Sequence, residues 1–205
     1  MTRLRPDLAV IAANVAPGAR VLDVGCGDGA LMAALRDERG VDARGLELDA
    51  GNVAAAVARG LSVVQGDADV ELANYPGGSF DYALLSQTLQ TTARPAVVLD
   101  HLLRIGQRAF VSFPNFGHWR VRASLLLGGR MPVTRLLPER WHDTPNIHHL
   151  TIDDFREFVR VRGVHVEGAW FLAGDKRASA AFANIFAEHA VFLLRRQTSD
   201  DSVSP

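Results

Sequence analysis

Three glycines, Gly25, Gly27 and Gly29, alternate with other residues in the stretch Asp23-Val24-Gly25-Cys26-Gly27-Asp28-Gly29. Glycines at this spacing let a backbone turn sharply and bring its N–H groups close to a ligand at the start of a helix. They do not choose the ligand by themselves, because Gly25-Cys26-Gly27-Asp28-Gly29-Ala30 also satisfies the relaxed dinucleotide fingerprint. The carboxylates Asp23 and Asp28 discriminate. Beside a pyrophosphate they are repulsive in a partly dry site, whereas beside a methionyl ammonium and a positively charged sulfur they are favourable. The loop is therefore read as a site for S-adenosylmethionine or S-adenosylhomocysteine, with a nicotinamide dinucleotide as the alternative.

Two more acidic positions fit that ligand. Glu47, in Gly45-Leu46-Glu47-Leu48-Asp49, lies about 20 residues past the loop, where an acidic side chain accepts hydrogen bonds from ribose hydroxyls. Asp49 reads as the cap of the next helix. Asp67, in Gln65-Gly66-Asp67-Ala68, is placed to accept from the adenine amino group, although a turn residue after a strand is an equal reading. With Leu48, Ala68, Ser86 and Gln87, the expected cofactor set is Asp23, Gly25, Cys26, Gly27, Gly29, Glu47, Leu48, Asp67, Ala68, Ser86 and Gln87. Cys26 has no base paired with it in sequence, and its position in the loop asks for a small residue and not a nucleophile.

The elements that must hold these residues are apolar runs alternating with helical patterns, the sequence form of βα units around a parallel sheet. Strands are predicted at 20–24, 43–48, 61–65, 80–85, 109–113, 164–171 and 190–194, and helices at 7–16, 30–39, 51–59, 95–105 and 152–162. Thr151 with Asp154 resembles a capping box at the start of the last helix. The expected architecture is an α/β, Rossmann-like, seven-stranded and mostly parallel sheet with helices on both faces. It forms one domain over 1–196, followed by a polar, frayed tail over 197–205.

The chain has 205 residues, 48% hydrophobic and 22% charged, with a formal net charge of −1. This is enough apolar material for a core and offers no global basic field for nucleic acid. One cysteine excludes a disulfide framework and a Cys-rich zinc site. No apolar signal core follows the basic start, and no run approaches the ~18 apolar residues of a membrane span, so the expected setting is cytoplasmic.

From Pro114 to Leu150 the βα rhythm stops. This insert after the fifth strand carries three prolines past its first residue, clustered aromatics, and five arginines against Glu139 and Asp143. Long irregular stretches of this kind are usually lids or binding surfaces, and 119–127 reads as a helix. Asn115, Phe116, His118, Trp119, Arg120 and Arg122 are candidates for contact with a substrate or a partner protein. They could equally stabilise the insert; aromatics interleaved with arginines put a protein interface at least level with a solvated face and ahead of nucleic acid. His142, His148 and His149 have no accompanying acidic or cysteine ligand pattern, so no metal is expected. Gln87 and Gln90 could face cofactor or substrate, or cap a helix. No catalytic residue is assigned.

The series Val21-Leu22-Asp23-Val24-Gly25-Cys26-Gly27-Asp28-Gly29, Gly45-Leu46-Glu47, Gly66-Asp67-Ala68 and Ser79-Phe80-Asp81 resembles the motifs of class I S-adenosylmethionine-dependent methyltransferases. Farther on, Leu85-Ser86-Gln87-Thr88-Leu89-Gln90, Val111-Ser112-Phe113-Pro114-Asn115-Phe116-Gly117-His118-Trp119-Arg120-Val121-Arg122, Gly129-Arg130-Met131-Pro132-Val133-Thr134 and Trp141-His142-Asp143-Thr144-Pro145-Asn146-Ile147-His148 are similar to the methionine-biosynthesis MetW family. The likeness covers most of residues 15–170; a tyrosine is more usual in that family where Trp141 or His142 stands. It implies the methyltransferase fold, an antiparallel last strand, and association with homoserine O-acetyltransferase or O-succinyltransferase, but no methyl acceptor. Two roles follow: an accessory subunit of the acyltransferase, which is favoured, or an active methyltransferase on an unidentified small molecule.

Overall fold

The apolar runs lie side by side in one eight-stranded sheet. The computed structural model describes residues 4–134 and 137–197. Its strands are β1 (Arg20–Val24), β2 (Asp42–Glu47), β3 (Ser62–Gln65), β4 (Phe80–Ser86), β5 (Gly106–Pro114), β6 (Val164–Ala173), β7 (Lys176–Arg177) and β8 (His189–Arg196). Their spatial order is β3-β2-β1-β4-β5-β8-β6-β7. β1 to β5 pair in parallel, and β8 runs antiparallel to both β5 and β6. The seven expected strands are present. The eighth, β7, is a two-residue return onto β6, too short to leave a period in the sequence. Of the expected tail, all but Gln197 lies outside the described residues.

The helices are α1 (Pro6–Asn14), α2 (Ala30–Arg39), α3 (Ala50–Ala58), α4 (Ala68–Glu71), α5 (Pro95–Ile105), α6 (Trp119–Gly128), α7 (Ile152–Val161) and α8 (Ala183–Phe186). Strand side chains alternate between faces, so consecutive residues feed two cores. Val21, Tyr82, Leu84, Phe110 and Val191 meet Ile11 of α1 and Leu31 and Leu35 of α2. On the other face Leu22, Leu85, Val111, Phe113 and Phe192 meet Leu99 of α5 and Phe155 of α7. Thr151 and Asp154 form the capping box at α7. Between β1 and β4 the strand order reverses direction, and in an open α/β sheet ligands bind at the carboxyl ends of the strands at such a point.

The insert is tied into this frame at both ends. α6 opens it; from Gly129 to Leu150 the described residues form no helix or strand. Phe116, Val121 and Leu137 make a small core of their own, and the Phe116 N–H donates to the Leu150 carbonyl at 3.2 Å. The Ile147 and His148 N–H groups both donate to the Gln90 carbonyl, at 2.8 and 3.0 Å.

The core beneath α7 is aromatic. Phe155 packs 4.8 Å, centroid to centroid, from both Phe113 and Phe192 and is 1% exposed. Phe155→Ala is expected to cost about 3–5 kcal/mol, the scale for a large aromatic removed from a core. Urea unfolding of the variant checks this; a loss under about 1 kcal/mol would mean that α7 contributes little to the fold.

Candidate functional site

Gly25, Gly27 and Gly29 all have positive φ, +70°, +56° and +76°, in the left-handed region that favours glycine. A Cβ at Gly25 would lie 2.3 Å from Thr88 Oγ1, and one at Gly29 would lie 2.3 Å from Leu61 Cδ1. The loop is held from the next strand: the Gly27 N–H donates to Glu47 Oε2 at 2.7 Å, and the Asp49 N–H donates to Glu47 Oε1 at 2.9 Å. Asp28 turns to Arg59, 2.7 Å away, so its charge is offset outside the loop. Cys26 points down onto Met32, Ala56 and Leu61. Burial, then the nearby Asp23 and Glu47 carboxylates, push its thiol up to about 12, so it stays protonated and packs as a small apolar residue.

Asp23, at the carboxyl end of β1, is 1% exposed. Its Oδ1 is buried without a hydrogen-bond partner. Burial raises its pKa to about 7; Arg5 opposes the rise and Glu47 adds to it. Asp7 of α1, equally buried, behaves in the opposite way. Its Oδ2 accepts from Ser112 Oγ at 2.9 Å, Ser86 Oγ at 3.1 Å and Gln87 Nε2 at 3.2 Å, and Arg5 lies 3.3 Å from its Oδ1. Burial alone would raise the Asp7 pKa, but Arg5, Ser112, His189 and Ser86 outweigh it and hold the carboxyl below its ordinary value. Gln87 takes part with φ +52°, the one positive value at a non-glycine position among the described residues. This is a backbone strain of the kind that collects at functional sites.

At the ends of β1 to β4 a cleft of about 320 Å³ is lined by Gly25, Glu47, Leu48, Asp67, Ala68 and Thr88, with Pro145 of the insert at its rim. Leu48 is 65% exposed, an apolar face open to the cleft. Asp67 caps α4, accepting from the Asp69 N–H at 2.9 Å. Asp69 in turn accepts from the Ala93 and Arg94 N–H groups at 2.8 and 2.9 Å. Of the expected cofactor residues, Gly25, Glu47, Leu48, Asp67 and Ala68 are brought together as walls. Cys26 and Ser86 turn away, into packing and the Asp7 network respectively. The sequence reading missed Arg5, Asp7, Asp69, Thr88, Thr91, Thr92 and Pro145; the polar run Gln87-Thr88-Leu89-Gln90-Thr91-Thr92 after the fourth strand was the available signal for the threonines.

A sequence model of the family described as methionine biosynthesis protein MetW matches residues 5–194. The chain belongs to the MetW family. It is 31% identical over 206 residues to a bifunctional methionine biosynthesis protein MetXA/MetW of Rhodopirellula baltica, a match covering 95% of this chain and 33% of that relative. It is also 34% identical over 161 residues to a ubiquinone biosynthesis O-methyltransferase of Xylella fastidiosa, covering 73% of this chain and 62% of that one. The chain thus spans about a third of the MetXA/MetW relative's length. Among solved structures, an S-adenosylmethionine-dependent methyltransferase from Mesorhizobium loti is similar at a TM-score of 0.69 and 20% identity, over 93% of this chain and 98% of that one. One from Archaeoglobus fulgidus is similar at 0.62 and 14%, over 92% and 94%. These likenesses establish the class I methyltransferase fold.

In this MetW-family chain the six insert candidates divide into a base and a rim. Asn115 is fully buried. Its side chain donates to the Ala187 and Asn184 carbonyls at 2.8 and 3.2 Å and accepts from the Gly117 and Ile152 N–H groups at 3.0 and 3.3 Å. Phe116 is core, edge-on to His149. His118 is buried and caps α6, accepting from the Arg120 N–H, and burial lowers its pKa. Arg122 is exposed but donates to the Gly117 carbonyl. Trp119 and Arg120 remain at the surface, stacked at 5.3 Å; Leu126 and Leu127 of the same helix are 86% exposed and Trp141 of the later insert is 74% exposed. Among the described residues no three His, Cys, Asp or Glu side chains converge as a metal site, and no helix is long and apolar enough to cross a membrane.

The Asp23 carboxyl makes the fold pH-dependent. A pKa of about 7 in the folded chain against 3.8 for an ordinary aspartate means that the native state binds the proton more tightly. Stability from this group therefore falls as pH rises from about 4 to about 7 and is level above that. Asp23→Asn is expected to gain stability relative to the parent over that range, by up to about 4 kcal/mol at pH 8. Melting curves at pH 5 and pH 8 measure the gain, and a difference that does not change with pH would show that Asp23 is ionised throughout.

Proposed function

We propose that this chain is an S-adenosylmethionine- or S-adenosylhomocysteine-binding subunit of methionine biosynthesis. In this reading it associates in the cytoplasm with a homoserine O-acyltransferase, either the O-acetyltransferase or the O-succinyltransferase, and contacts neither nucleic acid nor membrane. The observation that carries the reading is the relative in which MetXA and MetW share one polypeptide: fusion joins parts that work together.

The cleft suits the cofactor. Asp23 stands below the glycine loop and outside the cleft walls; its unpartnered Oδ1 is a costly buried acceptor that an ammonium reaching past Gly25 would satisfy. Each Glu47 oxygen accepts one backbone N–H, which leaves further lone pairs for ribose hydroxyls. Asp67 uses Oδ1 for the Asp69 N–H and keeps Oδ2 for the adenine amino group. Leu48 offers the apolar face against which a base packs. When bound, S-adenosylmethionine supplies a methyl group on a sulfonium. The side chains around the cleft are carboxylates, threonines and apolar groups, which bind and orient a ligand; the accessory role is favoured by the fused relative. In that role the cofactor can report on the pathway only if its affinity differs between the free and partner-bound chain. The O-methyltransferase relative favours the second reading, methyl transfer to a small acceptor, whose proton, if the acceptor is a hydroxyl, passes to a carboxylate or to water.

Calorimetry is expected to show S-adenosylhomocysteine binding and far weaker NAD. Glu47→Ala should weaken the former by about 1.5–3 kcal/mol, the scale for hydrogen bonds to a charged group; comparable NAD affinity would reject the cofactor assignment. For the partner, the informative variant is Arg120→Glu with Leu126→Ser and Leu127→Ser, because these side chains are exposed whereas Arg122 braces Gly117. It should lose capture of the acyltransferase in a pull-down while keeping the parent's melting temperature and cofactor affinity. Full retention of the partner would remove this face as the interface.

A further inference from the structure

Apart from the cofactor cleft, a second cavity of about 230 Å³ opens between the start of α5, the first turns of α7 and the end of the insert. Its walls include Leu89, Pro95, Leu150, Phe155 and Phe158, with His148 and Asp154 as the polar residues. Asp154 is committed elsewhere, since its Oδ2 accepts both the Thr151 N–H and the Thr151 hydroxyl. His148 is not: its Nε2 is buried and has no hydrogen-bond partner. A second such atom lies next door. Gln90, whose carbonyl holds the His148 N–H, spends its Nε2 on the Gln87 carbonyl at 2.8 Å, and its Oε1 is buried and unpartnered. Native folds rarely leave buried polar atoms unsatisfied; Gln90 does not line the cavity, whereas His148 stands on its wall and calls for a group to satisfy it.

We propose that this cavity binds a small neutral ligand with an aromatic or branched apolar body and one hydroxyl group, the hydroxyl meeting His148 after the half-buried imidazole turns its covered Nε2 toward the cavity. Size sets the body, because an apolar cavity of about 150 Å³ already accepts a benzene ring. The walls set the charge: they are apolar apart from His148 and the Asp154 carboxylate, so an anion is repelled and a cation would lose its water against mostly apolar walls. The hydroxyl follows from the imidazole, whose Nε2 donates in one tautomer and accepts in the other, and a hydroxyl answers either. The site lies across the Leu89–Thr91 turn from Thr88, Thr91 and Thr92 of the cofactor cleft, and its occupancy does not depend on the cofactor reading.

The test uses the full chain with phenol and benzene as probes, two rings that differ by one hydroxyl, titrated by calorimetry with S-adenosylhomocysteine affinity measured on the same samples. Phenol is expected to bind saturably and about 3- to 10-fold more tightly than benzene, the margin of one hydrogen bond. His148→Leu should bring phenol down to the benzene value. Leu150→Trp, which fills the cavity, should abolish both, and if that variant does not fold the His148→Leu comparison decides alone. No saturable phenol binding, or a phenol preference unchanged in His148→Leu, overturns the proposal. Either result with intact S-adenosylhomocysteine binding leaves the cofactor reading standing, so the two fail separately.

Discussion

Glu47 joins two segments, the glycine loop after β1 and the turn after β2, through a single side chain. Its two oxygens take the Gly27 N–H from the loop after β1 and the Asp49 N–H from the turn after β2. Three left-handed glycines within five residues form a segment with a large conformational entropy to lose; the carboxylate and the Gly25 N–H, which donates to the Leu46 carbonyl at 2.7 Å, fix it. Asp49 then caps α3 by accepting from the Asn52 N–H at 2.8 Å. The bridge depends on register: Asp23 sits opposite Gly45 and Val24 opposite Leu46. It depends also on Gly45 having no side chain, since a Cβ there would stand 2.6 Å from Cys26 Sγ. The cofactor walls on β2 and the loop on β1 are therefore one mechanical unit.

Asp23 and Asp7 show how environment assigns different roles to the same side chain. Both are buried against the same face of the sheet. Asp7 is surrounded by donors and a guanidinium, and its charge is stabilised where it stands. Asp23 has an oxygen with no partner, and burial dominates its ionisation. Desolvation and hydrogen bonding act in opposite directions on a carboxyl; α1 supplies enough of the second for Asp7, while Asp23 is left with the first. A carboxylate anchored in a network and a carboxyl left without a partner are thus built into the same fold, and Arg5 acts electrostatically on both.

The sequence carried the strands, the long helices, the glycine loop, Glu47 and Asp67, because each is a local pattern: period-two apolar runs, a turn composition, an acid at a strand end. What it did not carry is non-local. The Asp7 network joins residues separated by 79 to 105 positions, and no spacing rule links an aspartate in the first helix to serines at the ends of β4 and β5. Ser86 was legible as a polar residue at the right strand end, but not as one turned toward α1. For Asn115, Phe116 and His118 the sequence leaves bracing of the insert and contact with a partner both open, because a buried asparagine that brackets four backbone groups has the same letter as one that binds a partner. The base of the insert and its rim separate only when burial is known.

That separation gives the insert its physical character. Its base is pinned by Asn115 and by the Phe116 core, so it cannot drift from the sheet. Its later part reaches two places at once: Pro145 stands at the cofactor cleft, and Trp141, four residues earlier, is open to solvent. Ile147 and His148 hold the far end to the Gln90 carbonyl, in the same turn as the threonines of the cleft. The segment from Trp141 to His148 is thus the short covalent stretch between a solvent-exposed part of the insert and the rim of the cleft.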